Sequence, residues 1–169
     1  RVDCSVTPLI SWRIYPGDPQ GRGGMDFTRF PSAAYWMDLD AIDRPGTSSL
    51  REVPVSIQAS NRPFTRAVHR ATGGVCAVVR SVVRRVVPLH WLRPNGANLD
   101  AMLGLVQAVQ DAGGDYLEFI LHSSEFMPGA NETFHTREDI EKLYAHLEAL
   151  FAAVTPAFRG ATLSEYHDA

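Results

Sequence analysis

The chain has 169 residues, 45% of them hydrophobic, with 16 basic against 19 acidic residues and a formal charge of -3. That length and apolar content support one buried core, and a single domain spanning 1–169 is expected. The near-balanced charge excludes a basic footprint for nucleic acid or for an anionic membrane surface. Cys4 and Cys76 are too few and too far apart for a disulfide framework or a four-ligand zinc cluster. The stretch 75–92 carries Arg80, Arg84, Arg85 and Pro88, so it falls short of the about 20 apolar residues of a membrane span. No basic head with an apolar stretch and cleavage site precedes the first structured segment, so the expectation is a cytoplasmic chain without signal peptide or transmembrane segment. Because it opens on Arg1 rather than Met, a partial domain is expected.

In chain order, Val2-Asp3-Cys4-Ser5-Val6 alternates β-branched residues and stops at Thr7-Pro8, which predicts a short strand. From 7 to 49, Pro16-Gly17-Asp18-Pro19, Gly21-Arg22-Gly23-Gly24 and Arg44-Pro45-Gly46 preclude sustained regular structure, while interleaved aromatics such as Trp12, Phe27, Phe30, Tyr35 and Trp36 point to packing rather than disorder. A long, ordered, irregular loop is expected there. The run 50–57 reads as a strand interrupted or set at an edge by Pro54, which has no ladder donor. Valines at helical spacing predict a helix within 62–87, broken near Gly73-Gly74. Trp91-Leu92-Arg93-Pro94-Asn95-Gly96 reads as a strand ending in a turn. Asn98 opens a helix whose stripe is Leu99, Met102, Leu103, Val106 and Val109, ending before Gly113-Gly114. The apolar run 116–121 predicts a buried parallel strand. Thr136 and Asp139 form an acidic capping box ahead of Ile140, Leu143, Tyr144, Leu147, Leu150, Phe151 and Val154. A short strand closes the series at 161–164. Alternating strands and helices after residue 90 imply α/β architecture with parallel pairing.

Chemistry concentrates at His122, which follows the 116–121 strand in the position where α/β folds collect catalytic groups. A histidine there suits a general acid or base, because its ordinary pKa lies close to working pH. His69, His90, His135, His146 and His167 show no HxxxH, HExxH or comparable ligand spacing, so no metal site is expected within this chain. His135 and His146 read as surface groups of the long helix. Gly21 to Gly24 lack the strand and capped helix of a phosphate loop. Ser123 and Ser124 lack a GxSxG elbow, so a serine mechanism with His122 ranks last. Arg93 and Asn95 could serve sugar hydroxyls or local capping, with capping preferred.

Three pieces, VDCSVTP at 2–8, LREVPVSI at 50–57 and FILHSSEFMPG at 119–129 with its distal GATLSEY, resemble in order the later part of polysaccharide deacetylases of the NodB-homology type, a carbohydrate esterase family, and most of all its lipopolysaccharide-biosynthesis-like branch. The resemblance implies part of a distorted (β/α) barrel that removes an acetyl group from a sugar using water activated by a divalent metal, zinc or similar. It implies that His122 protonates the leaving group and that Leu121 lines the acetyl pocket, with Trp12, Trp36 and Trp91 as further walls for an acetylated carbohydrate. The paired-aspartate, paired-histidine and Arg-x-Pro motifs of that family would all precede Asp3 and do not occur in this sequence. The expectation is therefore the carboxyl-terminal portion of such an enzyme, inactive by itself. The rival expectation is a noncatalytic carbohydrate-binding or scaffolding remnant of the same fold.

Overall fold

A computed structural model of the chain describes residues 1–13, 24–59 and 88–169, which form a mixed α/β structure with small sheets and three α-helices. The helix expected at 62–87, with His69, Cys76 and the Arg80, Arg84 and Arg85 flank, lies outside the described residues, as do Gly21, Arg22 and Gly23. The chain divides into two compact units, one of Arg1–Ile57, Tyr116–Ile120 and Phe158–Ala169, the other of Gln58–Asp115 and Leu121–Ala157.

In the first unit, strand β1 (Val2–Asp3) and strand β2 (Tyr35–Trp36) flank strand β3 (Arg51–Glu52). The expected strand at 2–6 is cut to two residues because Asp3 turns its carboxylate onto the following chain, accepting from the Cys4 N–H at 2.9 Å and the Ser5 hydroxyl at 3.0 Å. β1 pairs with β3 in parallel, but β2 pairs with it antiparallel, so the sheet is mixed rather than purely parallel. The cause is a tight return between β2 and β3, where the Gly46 N–H donates to the Trp36 carbonyl at 2.7 Å. A Cβ on Gly46 would come within 2.6 Å of the Asp38 backbone, so only glycine allows this approach. Pro54 interrupts the 50–57 strand as expected, yet Val53 and Val55 still donate to the Asp3 and Val6 carbonyls at 2.8 and 3.0 Å.

The described part of the 7–49 loop is ordered by its aromatics. Asp26 caps a 3-10 turn at Phe27–Arg29, Phe27 and Phe30 meet edge to face at 5.0 Å, and Phe30, Tyr35 and Met37 join Val6, Val53, Val55 and Ile57 in the core. The segment 116–120 forms no strand. Its neighbour is the proline-interrupted run: Tyr116 Oη donates to the Pro54 carbonyl at 3.0 Å, the Ser56 N–H donates to the Glu118 carbonyl at 3.2 Å, and the Glu118 N–H goes to Ser56 Oγ at 2.9 Å. With no N–H on Pro54, a regular ladder is not available. Residues 161–164 are not a strand either. Thr162 and Glu165 make a reciprocal capping box that starts helix α3 (Leu163–His167).

The second unit, which begins at Gln58 within strand β4 (Ile57–Ala59), holds the rest of β4 with its partner β5 (Leu89–Trp91), helix α1 (Leu99–Asp111) and helix α2 (Arg137–Val154). Helix α1 packs on both β5 and α2. Its start is not capped by Asn98 in the expected way. That side chain accepts from the Asn95 N–H and donates to the Arg93 carbonyl, so it closes the preceding turn instead. The buried stripe is Met102, Leu105, Val106 and Ala108, with Leu105 in place of the expected Leu103. For α2 the capping box is present, and the buried stripe narrows to Ile140, Leu143, Leu147 and Leu150. Tyr144 and Phe151 stand on its flank, 46% and 48% exposed. Since Leu143 is fully buried, Leu143→Ala is expected to cost about 2–5 kcal/mol, read as a lower urea midpoint at unchanged slope.

Candidate functional site

Two clusters of polar groups are built into the structure, one in each unit. In the second unit, β5 delivers Leu92 to the core and Arg93 to a salt bridge with Glu125, Nη2 to Oε1 at 2.8 Å. Glu125 is 2% exposed. Its other oxygen, Oε2, accepts from the His122 N–H at 2.7 Å, and its own N–H donates to the His122 carbonyl at 2.9 Å. Both carboxylate oxygens are thus satisfied, one by a guanidinium and one by an amide, which is the condition under which a buried carboxylate is tolerated. The result is a 3-10 turn, Ser123–Phe126, that begins at a backbone-anchored, exposed His122.

The rest of the turn is braced from behind. The Ser124 carbonyl accepts from Met127 N–H at 3.2 Å and from Asn131 Nδ2 at 3.0 Å. Asn131 Oδ1 in turn holds the amides of Thr133 and Phe134, and the Phe134 ring is buried. Gly129 takes a φ of 74° so that its N–H reaches the Phe134 carbonyl. Histidine on such a fixed, solvent-facing turn can give or take a proton without moving its backbone.

The sequence-expected residues divide between the units. Leu121, half-buried, His122, and Trp91, half-buried on β5, belong to the second unit. Trp12 and Trp36 belong to the first. The Trp12 indole N–H donates to Thr7 Oγ1 at 2.7 Å. Trp36, 40% exposed, lies in a row with Arg51, whose guanidinium stands 5.7 Å from its ring, and it meets the His167 ring edge to face at 5.2 Å. Asn95 caps locally, accepting from the Ala97 N–H, and Arg93 is taken up by Glu125. His135 is exposed, whereas His146 is half-buried with its Nδ1 unbonded among the described residues.

The second cluster, in the first unit, was not singled out in the sequence. Strand register sets Asp3 and Tyr35 directly opposite Glu52, which places the three side chains on one face of the sheet. Glu52 is fully buried. Its Oε1 accepts from the Val6 N–H at 3.0 Å, and its Oε2 has no partner among the described residues. Glu118 Oε2 is likewise buried and unpartnered. Burial pushes the Glu52 carboxyl up to about 7, against the pull of the Val6 N–H and with a push from Asp3. Burial, then the charge of Glu52, pushes Glu118 up to about 7. Tyr35, whose hydroxyl donates to the Ile42 carbonyl at 2.7 Å, is pushed to about 12 by burial and by Glu52, Asp43 and Asp3. The Cys4 thiol is raised by burial and by Glu118, Asp3 and Glu52. The available signal was a single carboxylate inside an apolar run, Glu52 before Val53 and Glu118 between Leu117 and Phe119.

Among the described residues no group of three or more His, Cys, Asp or Glu converges as a metal shell, and no helix is long and apolar enough to cross a membrane. No protein-family model, curated protein or solved structure matches the chain. Removing Arg93 would leave the buried Glu125 carboxylate without its cation. Arg93→Ala is therefore expected to destabilise the chain by about 2–3 kcal/mol in urea unfolding, and adding Glu125→Leu to recover part of that loss.

Proposed function

We propose that the chain is the carboxyl-terminal part of a carbohydrate deacetylase and that His122 is its proton donor. The observation that carries the reading is the anchoring of an exposed histidine by the buried Glu125, itself paired with the half-buried Arg93, together with the ordered resemblance of the VDCSVTP, LREVPVSI and FILHSSEFMPG segments to that family. In this reading the substrate is an acetylated sugar of a cell-surface polysaccharide or lipopolysaccharide. Leu121 lines the acetyl pocket and Trp91, in the same unit as His122, is a candidate sugar wall. The distorted barrel and a cytoplasmic location belong to the same proposal.

Cleavage of an acetyl group from a sugar nitrogen or oxygen leaves a poor leaving group unless it is protonated as it departs. The His122 imidazolium gives up that proton from its ring, while Glu125 holds the backbone beneath it and keeps the donor in place. Glu125 touches no substrate in this scheme and is a positioning residue. The divalent metal that the resemblance implies finds no shell among the described residues, so the step assigned to this chain is confined to proton donation.

The test is acetate release from an acetylated sugar oligomer by the full-length product of the gene. His122→Ala is expected to lower kcat about 10²–10⁴-fold with little change in KM, and metal content measured by mass spectrometry should be unchanged. Undiminished turnover, or loss of metal with the imidazole, would overturn the assignment. Sugar binding without acetate release from either protein would favour a noncatalytic carbohydrate-binding role.

A further inference from the structure

The face of the first unit's sheet opposite Glu52 carries a side-chain cluster that the proton-donation scheme does not use. Strand register sets Trp36 directly across from Arg51, and α3 brings Tyr166 and His167 against the same pair. The Arg51 guanidinium stands 4.3 Å from the centre of the Tyr166 ring and 5.7 Å from that of Trp36, and the Trp36 and His167 rings meet edge to face at 5.2 Å. Tyr116 supports the Tyr166 ring, with the two ring centres 5.4 Å apart. Four separate stretches of the chain thus converge to hold one guanidinium among aromatic rings.

Two features set this cluster apart. The first is charge. Arg51 is half-buried and pairs with no carboxylate among the described residues, in a chain with 19 acidic against 16 basic residues. A guanidinium has five N–H donors. Here Nη1 bonds to the Tyr166 carbonyl at 3.0 Å, and the other guanidinium nitrogens meet no acceptor among the described residues. The acidic neighbours in sequence do not fill the role: Glu52, one residue along the strand, points to the opposite face, and Asp168 Oδ1 lies 2.9 Å from His167 Nδ1. The aromatic rings attract the cation but supply no counter-charge. The second feature is shape. Trp36 is 40% exposed although it is fixed on a strand against His167, so indole surface stays open to solvent beside the unpaired cation.

An aromatic surface next to a fork of N–H donors suits a sugar ring that bears an anion. The C–H face of the ring packs on the indole while the anion takes the guanidinium in the planar, two-bond mode. A carboxylate fits this arrangement better than a phosphate. A phosphomonoester carries more than one charge at neutral pH, whereas the cluster offers one guanidinium and an imidazole already engaged by Asp168.

We propose that Trp36 and Arg51 form a binding subsite for a uronic acid residue, the indole packing on the sugar ring and the guanidinium pairing with its carboxylate. The class of ligand rests on the carbohydrate reading above, to which the subsite adds that the carbohydrate is acidic. Tyr166 is a positioning residue, since its ring and carbonyl fix the plane of the guanidinium.

The experiment is calorimetric titration of the full-length product of the gene with an oligogalacturonate and with its methyl ester, which keeps the rings and removes the charge. The acid is expected to bind at least about tenfold tighter than the ester, with the difference shrinking as salt rises from about 0.05 M to about 0.5 M. Arg51→Lys keeps a cation and loses the fork, so most of the preference for the acid should go. Trp36→Leu should weaken both ligands about tenfold. Should Arg51→Lys fail to fold for want of its bond to Tyr166, Trp36→Leu, at an exposed position, carries the test. Equal affinity for acid and ester, undiminished binding in either folded variant, or inorganic phosphate binding as tightly as the oligogalacturonate would overturn the proposal. Acetate release by a protein without the acidic preference would overturn the subsite and leave the deacetylase reading standing. The acidic preference in a protein that releases no acetate would do the reverse.

Discussion

Glu52 occupies the middle strand of a three-stranded sheet with no access to water, and much of the first unit is arranged around that fact. An isolated buried carboxylate costs several kcal/mol, so its neighbours are constrained. Val6 must bring its N–H to Oε1, which fixes the course of the chain as it leaves β1. The Val6 carbonyl in turn receives the Val55 N–H beyond Pro54, so the proline-broken run stays docked although the ladder has ended. On the opposite face, Val2, Arg51 and Trp36 form the matching row. There the Arg51 guanidinium lies 4.3 Å from the Tyr166 ring and carries α3. One face of this small sheet thus collects acidic groups and the other a cation among aromatics.

The second unit solves the same problem differently. Glu125 is as buried as Glu52 in practical terms, yet a guanidinium and a backbone amide meet both its oxygens. Completing the set of partners turns a buried charge into a rigid fixture, and the fixture holds the backbone of an exposed histidine. Glu52 and Glu118 each keep one buried oxygen without a partner among the described residues, and burial pushes both carboxyls up to about 7. Burial alone therefore does not decide what a carboxylate costs the fold; the number and sign of its partners do.

The sequence carried some of this and not the rest. The α2 capping box and the end of α1 before Gly113 were readable because they depend on residues three or four apart. The extra width expected of the α2 stripe was not, since Tyr144 is apolar enough to join the count but stacks on Phe126 at 5.8 Å from the exposed side. The strands expected at 116–121 and 161–164 failed for opposite reasons. The first lacked a ladder because its neighbour contains Pro54, a long-range fact. The second was overruled by Thr162 and Glu165, a capping signal present in the sequence and outweighed there by the apolar neighbours. His122 stood out by its place after an apolar run, whereas Glu125 gave no sign of its role, because its value depends on Arg93, 32 residues earlier.

Stability is a poor explanation for a carboxyl pair in the first unit. Apolar residues of similar volume in place of buried ionic groups are often neutral or stabilising, and the row on β3 already has Val53, Val55 and Ile57 beyond it to form a core. Burial first, and then the acidic charges gathered on this face, raise Glu118, the Cys4 thiol and the Tyr35 hydroxyl, an electrostatic strain that an apolar pair would not introduce. Held by the Ser56 bonds and by Tyr116 Oη on the Pro54 carbonyl, residues 116–120 stay docked on a run that offers no regular ladder.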